Sequence, residues 1–170
     1  MSINDDLVRR ALEYTQRHRQ VLGDRLGSGV HGIVFVTESQ PENAVSVVRS
    51  AIKVHDRQPY YVRERDVYQR LKEHGVTTIR GCHVPQLLHA DDELWVLAMT
   101  VVTRPFVLDF AGAFLDHPPD FDEAVLADWH AEKQEQFSPR WPEVQAILRE
   151  LEGFGVFMLD VNPGNVAFGD

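Results

Sequence analysis

The stretch Leu26-Gly27-Ser28-Gly29-Val30-His31-Gly32-Ile33-Val34-Phe35 constrains this chain more than any other. Its three glycines stand at G-x-G-x-x-G spacing between two apolar runs, Val21 to Leu26 and Gly32 to Thr37. Lacking a Cβ, Gly27 and Gly29 let the backbone turn tightly and approach a ligand closely. Exposed amides in such a turn can point at phosphate oxygens. The residues after the glycines decide the fold around them. A dinucleotide-binding turn of this spacing opens directly into a helix. Here Ile33-Val34-Phe35-Val36-Thr37 is β-branched and aromatic, which favours a strand. The glycines are therefore expected to join two antiparallel strands.

The 170 residues suffice for one domain or two small lobes around a real core. With 44% apolar and 25% charged residues, disorder is not expected. A net charge of −9 argues against a nonspecific grip on nucleic acid. The single Cys82 excludes an internal disulfide framework and fits a reducing compartment. No apolar run approaches the roughly 20 residues needed to span a bilayer. Met1 to Asp6 lack the basic start and apolar core of a signal peptide. A cytoplasmic location, with neither nucleic acid nor membrane as partner, is the expectation.

Residues 4 to 19 read as a helix, with Ser2 and Asp5 as a capping box and Leu7, Ala11, Tyr14 and His18 at helical spacing. Its arginines are expected to face solvent. Two strands then flank the glycine turn, and Pro41-Glu42-Asn43 marks a loop. A third strand, Ser46 to His55, carries Ala51 and Lys53 on one face. A lone strand lysine is most often a solvated edge residue; that reading loses weight here because Ala51 and Lys53 share one strand face and follow a glycine turn.

A helix from about Tyr60 to His74 places Tyr61, Glu64, Val67, Tyr68 and Leu71 on one face. Glu64 is the odd member, since an unpaired buried carboxylate would be costly. Lys53 is its expected partner, with a solvated Glu64 at the stripe edge as the alternative. Strands at Val84 to His89 and Glu93 to Val102, joined by a tight Ala90-Asp91-Asp92 turn, complete a five-stranded lobe. Thr100 to Arg104 reads as a linker, and residues 103 to 120 as irregular with a short helix around Val107 to Phe114. Two helices follow. Phe121 to Gln136 carries Phe121, Val125 and Trp129 four apart, and Glu143 to Glu152 carries Val144, Ile147, Leu148 and Leu151 on one face. His83 and His89 lack metal-ligand spacing, so no histidine metal site is expected.

The chain closes on Asp160-Val161-Asn162-Pro163-Gly164-Asn165. Taken alone this is equally an ordinary Asn-Pro-Gly-Asn turn with an aspartate nearby. In order after Gly27-x-Gly29-x-x-Gly32-x-Val34 and Ala51-x-Lys53, it resembles the D-x-x-P-x-N loop of the protein kinase-like superfamily. The Pro163-Gly164-Asn165 form is closer to small-molecule kinases of the aminoglycoside and choline phosphotransferase type. The resemblance spans about Val21 to Phe168.

It implies an α+β, kinase-like fold: an N-terminal helix (1–20), a five-stranded antiparallel N-lobe with one main helix (21–102), and a shortened, mainly helical C-lobe (103–170). It implies ATP and Mg²⁺ as cofactors. Gly27, Ser28, Gly29, Val30, Gly32 and Val34 would cover the phosphates, and Lys53, positioned by Glu64, would reach them. Ala51 and Met99 would line the base pocket, with Val101 and Val102 offering backbone hydrogen bonds. Asp160 would serve the acceptor hydroxyl of a protein or small molecule, and Asn165 the metal.

Three departures qualify the resemblance. Met158 and Leu159 replace the His and Arg before the catalytic Asp, so no activation loop held by that Arg is expected. Asn162 stands where kinases carry Lys or His. The sequence ends at Asp170, leaving only that residue for the second metal-binding Asp. Three functions stay open on these residues: a phosphotransferase, a non-catalytic kinase-like module binding nucleotide or a partner protein, and a purely structural interaction protein.

Overall fold

The computed structural model describes residues 2–39, 42 and 46–169. The expected loop at Pro41 and Asn43, and the terminal Asp170, lie outside them. In chain order the first elements are α1 (Ile3–Arg17), β1 (Val21–Gly29), β2 (Gly32–Ser39), β3 (Val48–His55) and α2 (Gln58–Glu73). Four short strands follow: β4 (Thr78–Ile79), β5 (Cys82–His83), β6 (Leu87–Asp91) and β7 (Val96–Met99). The remainder is β8 (Phe106–Val107), β9 (Phe114–Leu115), α3 (Glu123–Phe137), α4 (Trp141–Gly153), β10 (Val156–Phe157) and β11 (Val166–Ala167). The protein is mixed α+β, with a five-stranded antiparallel sheet and, among the described residues, four α-helices. It divides into two compact units, Met1–Arg65 with Gln86–Val101 and Asp66–Pro85 with Val102–Asp170.

The first unit is built on the sheet β1-β2-β3-β7-β6. The glycine stretch forms the expected hairpin, Gly29 opposite Gly32, with Val30 and His31 as its two turn residues. Gly32 is required by packing, because a Cβ there would stand 2.2 Å from the Val54 carbonyl oxygen. β1 is an exposed edge strand whose pairing slips between Leu22 and Arg25 and again between Arg25 and Gly27. Such bulges twist an edge away from further pairing.

The Ser2–Asp5 capping box starts α1 as expected, with reciprocal bonds of 2.9 and 3.2 Å. Leu7, Ala11 and Tyr14 bury their side chains in a core with Ile33, Phe35, Ile52, Val54, Val96 and Ala98. One arginine departs from expectation: Arg10 is buried. Its guanidinium donates to the carbonyls of Leu94 (2.9 Å) and His55 (2.8 Å) and to Asp6 (2.9 Å), which ties α1 to two strand ends.

α2 begins directly after β3, and all of Tyr61, Glu64, Val67, Tyr68 and Leu71 are buried, as their spacing implies. β6 and β7 are shorter than expected and their turn is later, at residues 92–95. Asp91 sets it there: its Oδ1 accepts from the Glu93 and Leu94 amides, and Trp95 takes a positive φ.

The second unit holds a four-stranded sheet, β11-β8-β5-β4, and the pair β10-β9, neither of which the sequence pattern announced. The short helix expected around Val107 to Phe114 is absent. Asp109 has φ 67°, a left-handed conformation no α-helix passes through, and the segment enters β8 and β9 instead. Phe110, Ala111 and Ala113 are nonetheless buried.

The apolar stripe expected on α3 is also overturned. Phe121 and Val125 are each 47% exposed, while Lys133 and Phe137 are the buried members. Asp122 caps the helix through the Val125 amide (2.9 Å), which leaves Phe121 outside it. α4 starts two residues early at Trp141, because Pro142 is well tolerated in a first turn. Its Val144, Ile147 and Leu151 are buried, and Leu148 partly so. Arg70 grips Asp116 through both guanidinium Nη atoms, at 2.5 and 3.0 Å. Among the described residues, no helix is long and apolar enough to cross a membrane.

Candidate functional site

Strand alternation sorts the first unit's sheet into two faces. Ile33, Phe35, Ile52, Val54, Val96 and Ala98 share the core with α1. The residues between them therefore point to the opposite face. There Val34 pairs with Lys53 and Lys53 with Leu97; one rung along, Val36 pairs with Ala51 and Ala51 with Met99. Gly27 sits opposite Val34 on the hairpin. Of the residues selected from sequence, Gly27, Val34, Ala51, Lys53 and Met99 thus occupy two adjacent rungs. Ala51 and Met99 are buried and Val34 half-buried.

The hairpin is exposed but its tip is anchored. Ser28 is exposed opposite Ile33, and Val30 at the turn is 85% exposed. His31 stacks on Tyr60 at the start of α2, ring centroids 3.6 Å apart, and its carbonyl accepts from the Asp56 amide. A Cβ at Gly27 would meet nothing within 4 Å, so this position leaves open space beside the strand. Val101 is exposed beyond the end of β7, and the boundary between the two units falls between it and Val102.

Lys53 and Glu64 form the expected ion pair, Nζ to Oε2 2.7 Å, with both side chains almost wholly buried. Sequence reasoning missed a third member. His55 lies two residues past Lys53 on the same strand face, and its Nε2 is 2.6 Å from the same Glu64 oxygen. The period of two that linked Ala51 to Lys53 would have reached it. Burial by itself pushes the Glu64 carboxyl up. The Lys53 charge and the hydrogen bond and charge of His55 outweigh it and bring the group down to about 2.

In the second unit, Asp160 is exposed on the loop between β10 and β11. The Trp129 indole N–H holds the preceding Leu159 carbonyl at 3.2 Å. A Cβ at Gly112 would come within 3.2 Å of the Asp160 Cβ, so a glycine there lets the backbone pass close. Asn165 is buried and turned inward: its Nδ2 donates to the Asp160 carbonyl (2.5 Å) and its Oδ1 accepts from the Asn162 amide (2.9 Å). Asn162 Oδ1 in turn accepts from the Gly164 amide. These bonds make Asn165 a brace of the loop.

The magnesium ligands expected from the sequence are Asn165 and Asp170. The ion favours octahedral oxygen ligands with at least one carboxylate. Asn165 Oδ1 accepts one amide and keeps a second lone pair, and Asp170 lies outside the described residues. Among the described residues no three His, Cys, Asp or Glu side chains gather to hold a metal ion. Comparison with protein-family models and with curated proteins finds no match.

Proposed function

We propose that this chain is a kinase-like ATP-binding protein that moves the γ-phosphate of ATP to a hydroxyl of a protein or small molecule. The observation that supports this most is the buried Lys53–Glu64 pair, on the sheet face shared with Ala51 and Met99 and adjoining the glycine hairpin. A buried ammonium held against a carboxylate is aimed rather than mobile, which is what neutralising phosphate oxygens requires. The hairpin amides around Ser28 and Gly29 cover the phosphates. Ala51 leaves room for a flat base, and Met99 adapts to its surface. The Val101 and Val102 peptide groups meet the base edge.

Phosphoryl transfer asks for positioning and charge stabilisation more than covalent chemistry. The acceptor oxygen attacks the γ-phosphorus, the bond to the β,γ-bridging oxygen breaks, and Asp160 orients the hydroxyl and takes its proton. ADP leaves with the bridging oxygen. A second reading, a non-catalytic kinase-like module, is supported by the inward amide of Asn165.

Measuring ATP binding and ADP release by the wild type and Asp160→Ala separates the two. The phosphotransferase reading expects ADP release by the wild type and a loss of about 100-fold or more in the variant, with binding retained. Binding without turnover selects the second reading. No nucleotide binding by the folded wild type overturns both.

A further inference from the structure

We propose that His55 is a positioning residue, an imidazolium that fixes Glu64 and through it the ammonium of Lys53. The ring is fully buried between two acceptors: Glu64 Oε2 at 2.6 Å from Nε2 and the Trp95 carbonyl oxygen at 3.2 Å from Nδ1. A carbonyl oxygen only accepts, and so does an ionised carboxylate. Lys53 donates to that same Glu64 oxygen, which keeps the carboxylate ionised. A neutral imidazole has a single N–H and would leave one contact as two facing lone pairs. Both contacts are satisfied only with a proton on each ring nitrogen.

The groups facing His55 come from several elements. Lys53 lies on its own strand, Glu64 and Tyr61 on α2, and Arg10 on α1. The Tyr61 ring packs edge-on at 5.6 Å. The His55 backbone is held as firmly, its N–H donating to the Trp95 carbonyl (3.0 Å) and its carbonyl accepting from Arg10 (2.8 Å). A rigid ring bonded at both nitrogens gives the Glu64 carboxylate one location, and the long Lys53 chain meets its acceptor there. Supporting contacts of this kind are what keep a binding group in register.

The test has one arm independent of nucleotide and one that rests on the proposed function. In the intact chain without nucleotide near pH 7, long-range proton–nitrogen NMR of the imidazoles should show one histidine protonated at both nitrogens, absent in His55→Gln. The Lys53 ammonium should give a slowly exchanging signal that is lost in His55→Leu. His55→Gln keeps an N–H donor toward Glu64 and should retain that signal in part. ATP affinity should fall about tenfold in His55→Leu and less in His55→Gln.

A neutral His55 in the wild type overturns the proposal. So does a folded His55→Leu, or a His55→Gln if the leucine variant does not fold, with the Lys53 signal and ATP affinity unchanged. If the wild type binds no ATP, the nucleotide reading fails while the imidazole and Lys53 signals still decide the role of His55.

Discussion

Lys53 Nζ and Glu64 Oε2 stand 2.7 Å apart with 5% and 1% of their side chains exposed. Such a pair adds little net stability over an apolar one, because desolvating both charges offsets their attraction. Removing one partner is different, since it strands a buried charge. Glu64→Ala should lower folding stability by about 3–5 kcal/mol in urea unfolding. The triple change Lys53→Met, His55→Leu, Glu64→Leu, which strands no member of the cluster, should recover much of that. A single-variant loss under about 1 kcal/mol would show that the pair is more hydrated than its burial indicates.

The same pair sets an acid limit. Glu64 falls from its ordinary 4.5 to about 2 in the folded protein, burial opposing and the charges of Lys53 and His55 prevailing. Because the folded value lies below the unfolded one, its contribution is whole above about pH 4.5 and is lost as pH falls toward 2. Between those limits the wild type should lose more stability than Glu64→Gln, which cannot titrate. Parallel pH profiles would contradict this.

The two glycines of the hairpin should behave oppositely. Gly32→Ala drives a Cβ into the Val54 backbone at 2.2 Å and should disrupt the hairpin, visible as lost amide protection in β2. Gly27→Ala meets open space and should leave the melting temperature within a few degrees. If this strand covers phosphates closely, Gly27→Ala should still weaken ATP binding. Unchanged affinity would remove Gly27 from the site.

Much of the first unit, and of α2, which runs from it into the second, was legible because the signals are local. The period of two in Ala51 and Lys53, and the helical stripe Tyr61, Glu64, Val67, Tyr68 and Leu71, each survive in the structure without adjustment. Glu64 could be recognised because a carboxylate in an apolar stripe demands a partner. Arg10 and His55 were missed. Arg10 is polar on a helix whose outer face is also polar, and its bonds to the distant carbonyls of Leu94 and His55 account for its burial, whereas His55 continues the two-residue period of Ala51 and Lys53 and is held by Glu64.

The second unit was less legible. Two-residue strands such as β8 and β11 carry too little pattern to read, and their pairing joins residues about sixty apart. The motif D-x-x-P-x-N singled out Asn165 as a metal ligand, whereas its bracing of the loop depends on the Asn162 amide and the Asp160 carbonyl, which the motif does not announce.

Gly155 should show a two-part cost. It has φ 76°, and a Cβ there would lie 2.8 Å from both Arg70 Nη1 and Asp116 Oδ1. Gly155→Ala should destabilise by about 1–3 kcal/mol, combining left-handed strain with a displaced ion pair. Adding Asp116→Ala should remove the second part, so the two changes should be less than additive. Full additivity would mean the ion pair is not disturbed.

The most direct measurement for the account as a whole is calorimetric titration of the purified chain with ATP, beside the variant Lys53→Met. The account predicts saturable binding by the wild type and a loss of about tenfold or more in Lys53→Met, with the variant still folded by circular dichroism. Absence of binding by the folded wild type, or equal affinity in the two proteins, would contradict it.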